Sequence, residues 1–318
     1  MEAPRPDEYA LPTQLWMVRD TVRAEAFRSA LRAVVRPDSV VIDAGAGSGF
    51  LSLLAAQAGA ARVYAIERQG VARAARRLVA ASPWADRITV IQADAATVEL
   101  PEPATVLVSE WMGFYAIEEH LLPMVLAVRD RCLAPGGAVL PERFTTWAAP
   151  VEEPRRLADV AFWRGRPYGL DLGLLYDEAE VEAEFGRDHL TPAMLLAEPA
   201  ALWRGDLTTL AAADATGTWR ARQRFAATRA GRCTGLAIWF EVGFPGGTVL
   251  RTAPGDPPTH WGVTVLPVRE PRAVEPGTPV EARVTCEPTL PGHSTTYWGL
   301  RVGDGPWERH GGGDARDL

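Results

Sequence analysis

Over roughly the first 145 residues, short apolar runs alternate with segments of helical spacing. Residues 39–43 (SVVID), 62–67, 88–92, 105–109 and 138–140 are near-continuously apolar and too short for helices, the texture of strands buried on both faces. Between them, residues 48–58 and 71–81 carry apolar positions at helical intervals. Residues 122–133 do the same, with Pro123 in the first turn, where its missing N–H costs little. This alternation predicts an α/β unit: a parallel sheet covered by helices.

After Pro141 the texture changes. Residues 216–227 (TGTWRARQRFAA), 234–242, 261–268, 279–286 and 295–302 are β-branched and aromatic segments punctuated by Gly and Pro, which predicts antiparallel strands of a second, β-rich domain. Residues 162–199 break that pattern: Leu170, Leu174, Leu175 and residues 193–196 read as a helical, partly apolar insertion. Such a segment packs on its own domain or projects to a partner subunit. The pattern divides the chain into a helical lead (1–36), the α/β unit (37–145), the β-rich domain (146–310) and a glycine-rich tail (311–318) expected to be disordered.

Composition narrows the classes. The 318 residues are 47% apolar and 23% charged, a globular balance, and no apolar run approaches the roughly 20 residues of a membrane span. The net charge of −7 argues against a nucleic-acid partner bound through phosphates and leaves cationic partners open. The amino-terminal residues carry no targeting pattern, so the cytoplasm is the expected compartment. Cys132, Cys233 and Cys286 are widely spaced and read as reduced core thiols; no metal site is expected. All 33 basic residues are Arg, with Lys and Asn absent, a bias that points to a GC-rich genome.

The chemistry begins at Asp43, where a strand runs into Gly45, Gly47 and Gly49 and then a helix. Glycines there let the backbone approach a ligand closely. A dinucleotide fingerprint would need a glycine at Phe50, which excludes a nicotinamide enzyme. Asp43 instead suits the amino group of a methionyl moiety, Glu67 at the end of the second strand suits two ribose hydroxyls, and Asp94, with Ala95 beside it, suits an adenine amine. Together they indicate S-adenosyl-L-methionine. After the fourth strand, Glu110 and Glu119 lie on a loop at the carboxyl edge of the sheet. Two carboxylates facing one site need a cation between them, and a guanidinium offers a planar fork of N–H groups that fits both.

Here the sequence resembles the protein arginine methyltransferase family. Ser109-Glu110-Trp111-Met112-Gly113, with a second Glu nine residues after the first, resembles that family's double-Glu loop, and Thr259-His260-Trp261 its Thr-His-Trp loop. The glycine loop, Glu67 and residues 131–143 (RCLAPGGAVLPER) agree, and residues 163–172 (WRGRPYGLDL) are similar to the start of a dimerisation arm. The resemblance implies a class I methyltransferase Rossmann-like domain, preceded by a helical segment over the cofactor and followed by a β-barrel-like domain with an inserted helical arm at about 162–199. It implies that Glu110 and Glu119 clamp the target guanidinium, that His260 pairs with Asp20 near it, and that Arg23 binds the carboxylate of the methyl donor. Met17, Met112 and Trp261 would shape the substrate pocket, Glu118 would make it more acidic, and a homodimer is implied. Only Tyr9 stands where the family carries a Tyr-Phe-x-x-Tyr helix, and Ala96 replaces an adenine-contacting Glu.

The reaction so implied is methyl transfer from S-adenosylmethionine to a guanidino nitrogen, leaving S-adenosylhomocysteine, with either Glu119 or the His260 and Asp20 pair taking the proton. The genome bias favours free L-arginine or a small guanidino natural-product precursor as substrate, with peptide or protein arginine as the alternative. A non-catalytic cofactor-binding scaffold would lack the double-Glu pair, which is intact here.

Overall fold

A computed structural model describes residues 6–290 and 292–311, with side chains from Leu11 onward except Leu290. The tail expected from 311 on lies outside the described residues apart from Gly311, as does the side chain of Tyr9. Two helices lead in, α1 (Pro6–Arg19) and α2 (Thr21–Val34). Asp20 separates them in extended conformation, its carboxylate accepting the Arg23 N–H at 2.9 Å and capping α2.

The α/β unit follows as β1 (Val40–Ala44), α3 (Phe50–Gln57), β2 (Arg62–Ile66), α4 (Ala72–Ala80), β3 (Ile88–Ile91), β4 (Ala104–Val108), α5 (Leu122–Cys132) and β5 (Leu133–Leu140). Its sheet is wholly parallel in the order β3-β2-β1-β4-β5. Every residue of β1 is buried, which is why its sequence is apolar without alternation apart from Asp43. The strand order reverses direction at β1, and that switch point opens a crevice at the carboxyl ends of β1 and β4. The expected strand at 138–140 begins earlier because Leu133 already pairs with Ala104, and the register then shifts as the Pro-Gly-Gly stretch loops out before Ala138 meets Val106.

The second half holds β6 (Arg143–Val151), α6 (Pro154–Arg164), α7 (Gly173–Glu178), β7 (Glu184–Arg187), β8 (Ala200–Asp206), α8 (Ala212–Ala215), β9 (Trp219–Ala226), β10 (Gly231–Gly243), β11 (Val249–Arg251), β12 (Val263–Val274), β13 (Pro279–Leu290), β14 (His293–Val302) and β15 (Glu308–His310). These strands form two antiparallel sheets, one ordered β7-β12-β10-β6-β8 with β11 on β10, the other β15-β14-β13-β9. The fold class implied by the resemblance is therefore present. The expected insertion at 162–199 is corrected in extent: its helices begin at Pro154, and its second half returns to the barrel as β7, paired to β12. The reason is burial, since Leu190 and Leu196 are almost wholly enclosed by the β-rich core. Leu170, Leu174 and Leu175 remain exposed.

One apolar core runs through both halves. Phe27 of α2 meets Phe244 edge-on at 5.0 Å, and Trp111 of the double-Glu loop meets Phe144 at 5.4 Å. The Arg129 guanidinium donates to the carbonyls of Leu207 and Leu210 at 2.6 and 2.8 Å, a polar tie between α5 and the segment after β8. The loops of the two halves are thus held against each other over the crevice.

Candidate active site

The crevice is a cavity of about 1030 Å³, walled by α1, the glycine loop, the ends of β2 and β3, the double-Glu loop and the Thr-His-Trp loop. Its floor is set by backbone geometry. Gly45, Gly47 and Gly49 have φ of +78°, +54° and +82°, values that side chains resist. The N–H groups of Gly45 and Ala46 both donate to the Ile66 carbonyl at 2.9 Å, tying the loop to β2. Glu67 completes the tie: Oε2 accepts from Gly47 N at 2.9 Å and Oε1 from Gln69 N at 2.7 Å, while the residue also lines the cavity. Each oxygen keeps lone-pair capacity for a further donor.

Gly45, Gly47, Asp94, Ala95 and Arg23 line the cavity as well. Asp94 Oδ1 accepts from Ala96 N at 2.8 Å, and the Arg131 guanidinium holds the same turn through the carbonyls of Ala95, Ala96 and Val98. Two expected cofactor contacts are corrected. Asp43 is fully buried beneath the loop, absent from the cavity wall, with Oδ2 accepting from Ser52 Oγ at 2.6 Å and Oδ1 unpartnered. Loss of water pushes its carboxyl up to about 6. Gly49 turns away from the cavity: a Cβ there would meet Ala75 at 3.5 Å, so it serves the packing of α3 on α4.

The double-Glu loop is a strained turn. Ala116 (φ +74°) and His120 (φ +50°) flank a 3₁₀ turn over Ile117–Glu119 in conformations that non-glycine residues rarely adopt. The barrel holds this turn in place. Tyr115 is fully buried with its hydroxyl 2.5 Å from Thr296 Oγ1, Thr146 Oγ1 donates to the Tyr115 carbonyl at 2.9 Å, and Trp261 Nε1 donates to the Met112 carbonyl at 2.9 Å. Glu110 and Glu119 both face the cavity. Glu110 is engaged, with Arg23 Nη2 at 3.1 Å and Met112 N at 3.2 Å. Glu119 has no hydrogen bond or ion pair among the described residues, and burial, then the charges of Glu110 and Glu118, push its carboxyl up to about 8. Its surroundings favour a proton, or a cation from outside, in that place.

Glu118 is corrected too. It does not line the cavity; its carboxyl lies against the backbone of Gly113 and Phe114, with Oε2 buried and unpartnered. A 3₁₀ turn rotates successive side chains by about a third of a turn, so neighbouring glutamates cannot share a face. His260 Nδ1 stands 2.8 Å from Asp20 Oδ2, which also accepts the His260 backbone N–H at 2.9 Å. His260 holds the Asp20 carboxyl below its ordinary value against the opposing effect of burial. Met17, Met112 and Trp261 line the wall, and the imidazole rests on Trp261 at 3.8 Å between ring centroids.

Among the wall residues that sequence reasoning missed, three make contacts around the site. Gln14 Oε1 accepts from Ser48 N at 3.0 Å and closes α1 onto the glycine loop; Trp16 borders His260; His120 follows Glu119 directly. The signal for the first two was their place within one helical turn of Met17.

Residues 142–295 match the family described as the arginine methyltransferase oligomerization subdomain, and residues 41–137 match a methyltransferase domain. The chain is 30% identical to the protein arginine N-methyltransferase 6 of Xenopus laevis, over 91% of this chain and 88% of that protein. The chain belongs to the protein arginine methyltransferase family. It is an S-adenosylmethionine-dependent arginine N-methyltransferase. A probable histone-arginine methyltransferase 1.3 of Arabidopsis thaliana is 40% identical over 70% of this chain, which spans 43% of that relative. Among solved structures, the Trypanosoma brucei PRMT1 enzyme-prozyme heterotetrameric complex with AdoHcy aligns with a TM-score of 0.79 and 25% identity, covering 94% of this chain and 97% of that one. The Arabidopsis thaliana protein arginine methyltransferase 10 aligns at 0.78 and 26%, covering 93% and 95%. The expectation of free arginine or a small guanidino precursor is overturned by these relatives, which are named for protein or histone arginine. Composition bias reports the genome and carries no information on substrate size.

Proposed function

We propose that this enzyme methylates arginine side chains of proteins or peptides, with Glu110 and Glu119 holding the guanidinium. The observation that carries this reading is Glu119, a cavity-facing carboxyl without a partner among the described residues, beside a second carboxylate. The cavity suits the methyl donor: a glycine-floored wall for close approach, Glu67 with spare acceptor capacity, and an exposed Asp94 on the same side. Gly45, Gly47, Glu67, Asp94, Ala95 and Arg23 would hold it. When bound, S-adenosylmethionine supplies the methyl group, which passes from its sulfonium sulfur to a guanidino nitrogen, leaving the thioether as product.

The protein supplies position and charge. Glu110 and Glu119 accept the N–H groups of the non-reacting nitrogens, drawing positive charge there and concentrating electron density on the attacking one. Met17 and Met112 confine the reacting nitrogen. Two groups are available for the proton that leaves, the carboxyl of Glu119 and the imidazole of His260, which Asp20 orients through Nδ1. The free, buried cysteines support a reducing, cytoplasmic setting, and the exposed Leu170, Leu174 and Leu175 support a homodimer.

The test is mass spectrometry of reactions containing S-adenosylmethionine with an arginine-rich peptide in one and free L-arginine in the other. Methyl gain on the peptide is expected, and Glu110→Gln should lower turnover about 100-fold or more while S-adenosylhomocysteine still binds. Methylation of the free amino acid alone, or near-normal turnover in the variant, overturns the assignment.

A further inference from the structure

Trp16 is an exposed aromatic in the wall of a cavity built to take a cation. Half of its surface is open to solvent, although it lies in the last turns of α1, one residue before Met17. It lines the same cavity as Glu110 and Glu119 and meets His260 edge-on, with ring centroids 5.2 Å apart and planes at 79°. His260 is fixed from behind by Asp20 and from the side by Trp261. The position of Trp16 is therefore set by groups that are themselves held, while its own ring remains open.

Resting on the reading that the substrate is a peptide arginine, we propose that Trp16 is a substrate-specificity residue: its indole binds the incoming arginyl side chain at the cavity entrance, stacking on the guanidinium or its alkyl stem. The physical basis is threefold. An aromatic face attracts a cation through its quadrupole, and indole does so most strongly. A guanidinium is planar and weakly hydrated, so it stacks on a ring with little loss of solvation. Binding at Trp16 also leaves the guanidinium's N–H edge free for Glu110 and Glu119, since an aromatic ring engages the flat face or the alkyl stem and carboxylates engage the edge. Leu11, Leu15 and Val18 on α1 are exposed too, but Leu11 and Leu15 are outside the cavity wall and need a different explanation.

The experiment compares wild type, Trp16→Ala and Trp16→Phe with an arginine-rich peptide. It reads the peptide KM and kcat, the affinity of the S-adenosylhomocysteine-loaded enzyme for the peptide by calorimetry, and the sedimentation coefficient. Trp16→Ala should raise the peptide KM and Kd about three- to tenfold, with a much smaller change in kcat, and Trp16→Phe should recover most of the loss. An unchanged peptide KM and Kd overturns the proposal. So does a fall in kcat with a shifted pH profile, which would make Trp16 a prop for His260, or an altered sedimentation coefficient, which would make it an interface residue. Peptide binding that weakens in the alanine variant, without methyl transfer by the wild type, would sink the protein-arginine reading and leave this one standing. Methyl transfer with an unchanged KM in the variant would do the reverse, and wild type that neither binds nor methylates the peptide removes both.

Discussion

Glu119 holds its proton because water is largely excluded and because two other carboxyl groups stand close, so its value of about 8 makes substrate binding a proton-linked event. A guanidinium favours the ionised carboxylate, and below pH 8 binding must first displace the proton. The sign follows: affinity for the arginine peptide rises with pH, by about tenfold per unit at most, and levels off above about 8. Peptide titrations of the S-adenosylhomocysteine complex between pH 6 and 9 would show this, and an affinity flat in that window would remove Glu119 from the clamp. Glu118 and Asp43 mark the limit of what spacing reveals at this scale. Glu110 was legible because it follows the fourth strand, where loops face the ligand, and Glu119 because its spacing from Glu110 resembles the family's double-Glu loop. Which way each neighbouring carboxyl points depended on a 3₁₀ turn forced between two left-handed residues, and on Ser52 reaching back to Asp43. Neither feature has a local signature.

Among elements, the glycine loop separates two functions that look alike in the sequence. Gly47 lies under Gln14 of α1, where an added Cβ would sit 2.5 Å from Gln14 Oε1, whereas Gly49 faces Ala75 of α4. Gly47→Ala should displace Gln14, release Ser48 N–H and weaken S-adenosylhomocysteine binding about tenfold, with about 1–2 kcal/mol of destabilisation from the forced positive φ. Calorimetry beside thermal melts of this variant and Gly49→Ala checks it: the second should melt earlier yet bind normally once folded, and equal binding losses would erase the distinction. The central parallel strands β2, β1 and β4 were readable because strands buried on both faces are largely apolar. Strands β6 and β8 were not, since RFTTWAAPV and AALWRGD mix Ala, Thr and Arg; β6 is a strand because it pairs with β10 on one side and β8 on the other, and β8 because it closes that edge on β6.

For the whole molecule, exposed leucines cluster in two places among the described residues, and one of them borders the active site. Leu170, Leu174 and Leu175 are 57%, 66% and 58% exposed around α7, and Leu11 and Leu15 are 43% and 66% exposed on α1. Isolated exposed leucines are ordinary, but clusters on an excursion from the barrel are what a second copy covers. In a two-fold dimer the same surface is buried on both chains, residue i of one meeting residue j of the other and j meeting i, so each exposed cluster that enters the interface is covered twice. Helix α1 is the element with most to gain from cover, because Gln14, Trp16 and Met17 on it form one wall of the cavity. Replacing Leu170, Leu174 and Leu175 together by Ser should therefore convert a dimer to monomers in sedimentation at micromolar concentration. It should also weaken S-adenosylhomocysteine binding, through a loosened α1, without touching a cavity residue. A monomeric variant with unimpaired cofactor binding would show that the cavity wall stands by itself, and a wild type that sediments as a monomer would remove the dimer altogether.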